Sequence, residues 1–566
     1  MLVATDRAFT LADNARYGAR NLLLAMSTLN LGDDAALARA AAAGALPNGL
    51  MLNQRVLDRL LKGNAGPGIP AVETLILNAR DSVNVFGSVT LDATQGKGVG
   101  RLVLGAPAIY GYGGAADTAT IRSRELVWTG VSARPSDLSG QYDPAIPGAA
   151  IADRLGDGRL RLAAERIVFG YGPDTQPVNW LSAQRLALGF AGVDLLAGER
   201  VTANGQGTLK AYHRQGAYQA GKGYAYSGGD LNIVTPLLTG EASASMAYTA
   251  GGSLTLRLPQ GAAALPGQAG ALGAQLTLAG GSVDLDGAIA LASGKLKIEA
   301  ERDLRLGAQS RLDLAGREVV FYDQTRYTWG GDLTLDSASG NIDQEVGSVI
   351  DLSARKQRGG TLAATALGAG AGRIDLRGSI LGGASGLYDA GGTRAPYDAA
   401  EITLRARTLA DFAGLNTRLN AGQVHGARRF QIKQGDLIVG DEVRARQVSI
   451  TVDGGSLTVA SHRCQRLPAR HHPPGGQGRP EPAGRAGRAR RGPAPRQPWP
   501  DHRQPQPRAG LADVEPGHAD AGSVGQHRPA RRHRGRRQRR ARARHAGPER
   551  APLGRRRHAR RRRGRR

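Results

Sequence analysis

From about Ala271 onward the chain is cut into short apolar-x-apolar triplets separated by Gly, Ala, Ser, Asp and Asn. Leu276-Thr277-Leu278, Val283-Asp284-Leu285, Leu296-Lys297-Ile298, Leu304-Arg305-Leu306, Leu312-Asp313-Leu314 and Leu333-Thr334-Leu335 are examples. Alternation with period two marks strands with one buried and one wet face, and each strand is only a few residues long. The pattern returns after 20 or 21 residues: Leu276 at Leu296, Val283 at Leu304, Leu291 at Leu312, Leu437 at Leu457. A strand that short cannot bury its apolar face alone, so a fixed return of this size predicts coils stacked into a solenoid, each pairing its neighbour through a parallel ladder. The expected fold class is all-β, a right-handed parallel β-helix. A uniform period makes residues 81–460 about nineteen coils.

Glycine, at 81 residues, is assigned to the turns. The pairs Gly251-Gly252, Gly280-Gly281, Gly330-Gly331 and Gly454-Gly455 each stand just before a strand, where positive φ is expected. Residues 1–80 read differently. Asp33-Asp34 followed by AALARAAAAG predicts a short helix ending at Gly44, and LNQRVLDRLL, residues 52–61, a second, together forming a small helical cap or insertion. A break in the repeat is expected at residues 388–400, where Gly, Pro and Asp gather without alternation.

The formal charge of +27 suggests a polyanionic partner, but residues 462–566 carry nearly all of it, with 31 Arg, no Lys and 6 acidic residues. Residues 1–461 hold 44 basic and 42 acidic residues. The tail also has 9 of the 11 His, 15 of the 28 Pro and the only cysteine, Cys464, and it lacks Lys, Asn, Ile, Met, Phe and Tyr, the residues of A/T-rich codons. Their joint absence points to a GC-rich gene read out of frame after codon 461, and a permitted back-translation of residues 470–488 resumes the strand pattern one base away. The alternative is a genuine Arg-rich tail that binds polyanions non-specifically. Either way it lacks the apolar mass to offset ordering entropy and is expected to be disordered. The absence of cysteine before Cys464 excludes a disulfide framework there. No membrane span is read, and Met1 is not followed by a secretory leader, so a targeting segment is expected upstream.

The stretches GDLIVGDEVRARQVSITVDGGSLTVA (residues 435–460), LVLGAPAIYGYGGAADTATIRSRELVWTG (102–130) and GGDLTLDSASGNIDQEVGSVIDLSA (330–354) resemble the repeats of filamentous haemagglutinin-like large exoproteins. The helical start followed by NVFGSVTLD and AIYGYGG adds to the resemblance, which covers most of residues 1–460. It implies export by a two-partner outer-membrane transporter, a location at the cell surface, and non-enzymatic adhesion to a glycan or protein on a host or neighbouring cell, or display of an effector. The chain departs from that pattern in lacking the N-terminal secretion domain and a recognisable C-terminal effector.

The competing class is a β-helix enzyme, a lyase or hydrolase acting on acidic polysaccharide. Asp284, Asp313, Asp351 and Asp375 each lie between apolar strand residues and are expected to face outward, but their spacings are not multiples of the coil period, so they need not align in one column. His213 and His425 stand far apart without metal spacing, and residues 280–288, GGSVDLDGA, lack the Gly that a calcium nonapeptide needs. No catalytic residue, metal or cofactor is assigned, nor a specific nucleic-acid partner. The best contact-site candidates are aromatic: Tyr110 and Tyr112, Phe169 and Tyr171, with Trp128 and Trp180, on which sugar rings would stack. The alternative is that these rings pack between coils.

Overall fold

The computed structural model describes residues 1–5, 7, 17–62, 68–94, 100–132, 155–171, 183–219, 223–263 and 271–460. All belong to one compact unit, residues 1–469. Trp180 and the tail lie outside the described residues.

Alternating residues place one apolar side chain in every two toward the interior, and the ladder stacks those positions. Gln275–Gly280, Ser282–Asp286 and Ala288–Ala290 form one coil, and each pairs in parallel with its counterpart in the next, Lys295–Ala300, Leu304–Leu306 and Arg311–Asp313. The same three faces, here A, B and C in that order, recur along the unit, which is an all-β parallel β-helix. On face A the register runs Leu278, Ile298, Leu335, Ala364, Leu404, Phe430, all buried. Removing these side chains from water supplies the main driving force for stacking.

The coils are not uniform. The expected recurrences of Leu276 at Leu296, Val283 at Leu304 and Leu437 at Leu457 are ladder pairs. Leu312 pairs instead with Ile289, two residues before Leu291. Leu296 next meets Leu333, Leu333 meets Leu362, and Leu362 meets Ile402, because insertions lengthen those coils. From Asp81 to Ala460 the chain therefore passes face A twelve times, and the nineteen coils of a uniform period are not reached.

Two insertions are the early helices. α1, Asp34–Ala42, has Asp33 as N-cap, its carboxylate accepting from Ala36 N at 2.6 Å, and ends before Gly44 at φ +63°. α2 is Gln54–Lys62. They sit between strands of the ladder itself, since Asn21–Gly32 pairs with both Leu2–Thr5 and Thr74–Phe86. A third helix, α3, Phe412–Ala421, follows Thr408–Leu409 and was not legible as a helix. Arg428, fully buried, clasps it through Asn416 Oδ1 at 2.9 Å and Asn420 Oδ1 at 2.8 Å. Three antiparallel hairpins are also inserted: Arg214–Gln219 with Gly223–Ser227, Glu318–Phe321 with Gln324–Tyr327, and Leu387–Asp389 with Arg394–Pro396. The last occupies the expected break.

Of the four Gly-Gly pairs only Gly455 has positive φ, so left-handed turns are not what selects them. Close approach of coils is. A Cβ on Gly251 would lie 2.2 Å from Gly228 O, one on Gly330 2.2 Å from Leu352 O, and one on Gly331 2.3 Å from Gly294 O.

Candidate functional site

The acidic residues come first, because the register sorts them into two columns on two faces. On the outward side of face B, one column runs Thr120, Arg161, Asp194, Asn232, Thr255, Asp284, Arg305, Asp343, Asp375. Asp284 and Asp375 thus share a column, and Asp313 pairs directly with Asp351 on face C. Spacing along the chain failed as a guide because insertions lengthen some coils and leave the ladder register unaffected.

Most of this column is bonded along its length. Asn232 Nδ2 donates to Asp194 Oδ1 at 2.9 Å and Thr255 Oγ1 to Asn232 Oδ1 at 3.0 Å. Arg305 bridges Asp284 at 2.9 Å and Glu345 at 2.7 Å. The adjacent carboxylates Asp343 and Asp375 share Arg373, at 2.7 and 3.6 Å, and Arg377 also reaches Asp375 at 3.4 Å. Burial pushes the Asp343 carboxyl above the usual range; Arg373 opposes this and Asp375 adds to it. Asp313 is paired with Arg317, and Asp351 accepts from Ser353 N and Oγ at 2.9 and 2.6 Å. The bonds of Asn232, Thr255 and Arg305, and that of Arg373 to Asp343, cross between coils in the way that stabilises sheets, whereas those of Asp313 and Asp351 are local.

Asp194 illustrates the consequence for pH. Burial works against its charge, but hydrogen bonds from Arg159 and Asn232, then the charge of Arg159 and a bond from Arg161, outweigh it and hold the carboxyl below the usual range. A carboxyl depressed in the folded state contributes stability above its unfolded value near 3.9, and that contribution is lost as pH falls through the folded value. Asp194→Asn should therefore cost about 2 kcal/mol at neutral pH and flatten the decline in stability below about pH 4. Denaturant titrations from pH 2 to 7 check this; parallel curves for the two proteins would contradict it.

His213 is bound into the fold. Its Nε2 lies 2.7 Å from Asp157 Oδ1, and Arg214, on the same carboxylate, also donates to the carbonyls of Leu155 and Gly156 at 3.0 and 2.9 Å. The hydrogen bond from His213 is the largest influence on the Asp157 carboxyl, which sits below its usual range. His425 Nδ1 faces Arg444 O at 3.1 Å. Among the described residues no group of three or more His, Cys, Asp or Glu is placed to hold a metal ion, and no helix is long and apolar enough to cross a membrane.

The five described aromatic candidates do not form one platform. Trp128 and Phe169 lie inside the coils, 6.3 Å apart, with Trp128 Nε1 donating to Ala106 O at 2.8 Å and Tyr248 edge-on to Phe169 at 5.6 Å. A buried ring offers no face to a sugar. Tyr110 points outward from face A but is covered, packed with Ala108, Leu186 and Leu188 and bordered by Leu155, Tyr212 and Tyr226. Tyr112 is half-buried against Phe86, rings 5.0 Å apart, beside a cavity of about 290 Å³ lined by Arg39, Ala40, Gly87 and Asp117. Its hydroxyl has no partner among the described residues, and burial pushes its pKa up. Tyr171 is half-buried with its backbone bracketed by Asn204, at 2.9 and 2.8 Å.

The exposed aromatics lie elsewhere, on hairpins that sequence reasoning did not identify. The second hairpin, Glu318–Tyr327, leaves the corner after the face C strand Arg311–Asp313, and the third, Leu387–Pro396, leaves the corner after Ser379–Leu381. Those two strands flank Val349–Asp351 on the same face, so the hairpins emerge from one corner two coils apart, roughly 10 Å. The loop between them touches the second hairpin and the segment leading into the third: Lys356 Nζ donates to Tyr327 OH at 3.1 Å, and Lys356 N to Ser385 Oγ at 3.1 Å. Phe321, Tyr322, Trp329, Leu387 and Tyr388 are all exposed here. The signal that could have located the hairpins was the interruption of alternation at residues 316–331, VVFYDQTRY included.

No protein-family model, curated protein or solved structure matches this chain.

Proposed function

We propose that this chain is a non-enzymatic segment of a secreted surface adhesin of the filamentous haemagglutinin-like kind, a stack of coils that carries contact hairpins for attachment to a cell or matrix. The observation that carries the reading is the shared corner, where two hairpins with exposed aromatic and aliphatic side chains leave a continuous three-faced ladder. A ladder fixes the spacing of such hairpins, and many weak contacts at fixed spacing multiply into durable attachment. The outward acidic residues lend themselves to the same reading, since Asp284, Asp313 and Asp375 are engaged by arginines.

Beads coated with the full chain should hold to cell monolayers under shear. The triple substitution Phe321→Ser, Tyr322→Ser, Tyr388→Ser should reduce bound beads about tenfold while circular dichroism is unchanged. Equal attachment of the triple variant would remove the hairpins as the contact, and no attachment by either protein would remove the adhesin reading.

A further inference from the structure

We infer that the corner carrying the second and third hairpins docks on an anionic lipid surface, with the tip Val320-Phe321-Tyr322 entering the headgroup layer. This inference rests on the attachment reading above and names its partner.

Successive residues of a strand point to opposite faces. Val320 and Phe321 are neighbours on one strand of a two-stranded ribbon, yet they are 67 % and 58 % exposed, and Tyr322 in the turn is fully exposed at 101 %. On the third hairpin Leu387 and Tyr388, also neighbours, are 57 % and 40 % exposed. A partner with a flat or ring-shaped surface covers one face of a ribbon. A fluid interface covers both, and it favours this mixture of Val, Leu, Phe, Tyr and Trp, whereas aliphatic side chains add little to a sugar site.

The conformation of the tip points the same way. Tyr322 has φ +52°, in the turn of a two-residue hairpin at the position that ordinarily takes glycine. An aromatic residue there opposes folding, so the turn itself does not account for it.

Charge complementarity selects an anionic surface. Arg326, Lys356, Arg358 and Arg394 surround the two hairpins, and among the described residues none of the four is paired with a carboxylate. Lys356 lies 4.6 Å above the Tyr327 ring and Arg358 6.0 Å from the Trp329 ring, so both cations sit beside aromatic groups suited to the interfacial belt. Asp323, the other turn residue, opposes deep burial and confines the tip to the hydrated headgroup layer.

The test places an environment-sensitive fluorophore on the tip of the full chain, as Tyr322→Cys in a Cys464→Ser background. This local readout is separate from any binding through the Arg-rich tail. Vesicles containing phosphatidylserine should shift the label's emission to the blue, at about tenfold lower lipid than phosphatidylcholine vesicles require, and charge reversal at Lys356 and Arg358 to Glu should abolish that preference. A soluble sulfated polysaccharide should leave the emission unchanged. An unshifted label on vesicles that bind the protein overturns the inference, as does an equal shift with the polysaccharide, which would assign the corner to a glycan. If the beads above still adhere through the hairpins in either case, the attachment reading survives and only the lipid partner fails.

Discussion

Gly360→Ala is expected to destabilise the coils around it by about 3 kcal/mol, a large effect for a single methyl group. The added Cβ would sit 2.0 Å from Gly331 O, 2.9 Å from Gly330 C and 3.0 Å from Gly331 N, all backbone atoms of the preceding coil. A flexible side chain could swing away, but these atoms cannot. Gly331 O accepts from Thr361 N at 3.1 Å, and Gly360 O accepts from Glu401 N at 3.0 Å, so relief of the clash breaks ladder bonds in both directions. Stacked coils contact only their neighbours, and the loss should be local. Amide exchange should accelerate across Asp332–Ser337, Thr361–Ala366 and Glu401–Ala406 while distant coils keep their protection. Gly370→Ala is the control, since a Cβ there meets nothing within 4 Å. Matching exchange in the two variants would show that the corner tolerates a side chain.

The second large effect is expected at the other end of the described ladder. Val448, Leu457 and Val459 are 46 %, 45 % and 73 % exposed, although they continue interior columns whose preceding members are the buried Arg428 and Leu437 and the half-buried Val439. An interior row without a covering coil leaves its apolar surface in water and one edge of Gln447–Val452 without a strand partner among the described residues. Inserting a second copy of residues 440–459 directly after Ala460 should cover that row. Amide exchange of Gln447–Val452 is then expected to slow roughly a hundredfold, equivalent to about 2.7 kcal/mol of added protection. The same insertion with Asp at each interior apolar position should give no protection. Equal exchange in all three proteins would mean that the row is already covered by other means.

Legibility of the fold varied with how local its cause was. The short triplets of residues 275–335 declared their strands because alternation is a property of neighbours in sequence, and α1 declared itself through Asp33 and an Ala-rich run. α3 did not, because FAGLNTRLNA has little helical patterning and is held by the buried Arg428 from beyond its end. The Gly-Gly pairs were placed correctly at corners, but their cause was misread as φ when it is the neighbouring coil's backbone. The aromatic candidates fared worst. Gly-aromatic motifs look alike whether the ring packs between coils, as Phe169 does, or stands beside a cavity, as Tyr112 does.

The sequence alone determined that this chain makes short strands with one apolar face and that those strands must stack to bury it. Tertiary structure decided which residues stand above one another. It brought Asp284, Arg305, Asp343 and Asp375 into one column and placed the two exposed hairpins at one corner. The physical reason is that period and face follow from bonds along the chain, whereas column and corner follow from ladder register across coils. An insertion of any length in a turn changes sequence spacing without moving that register.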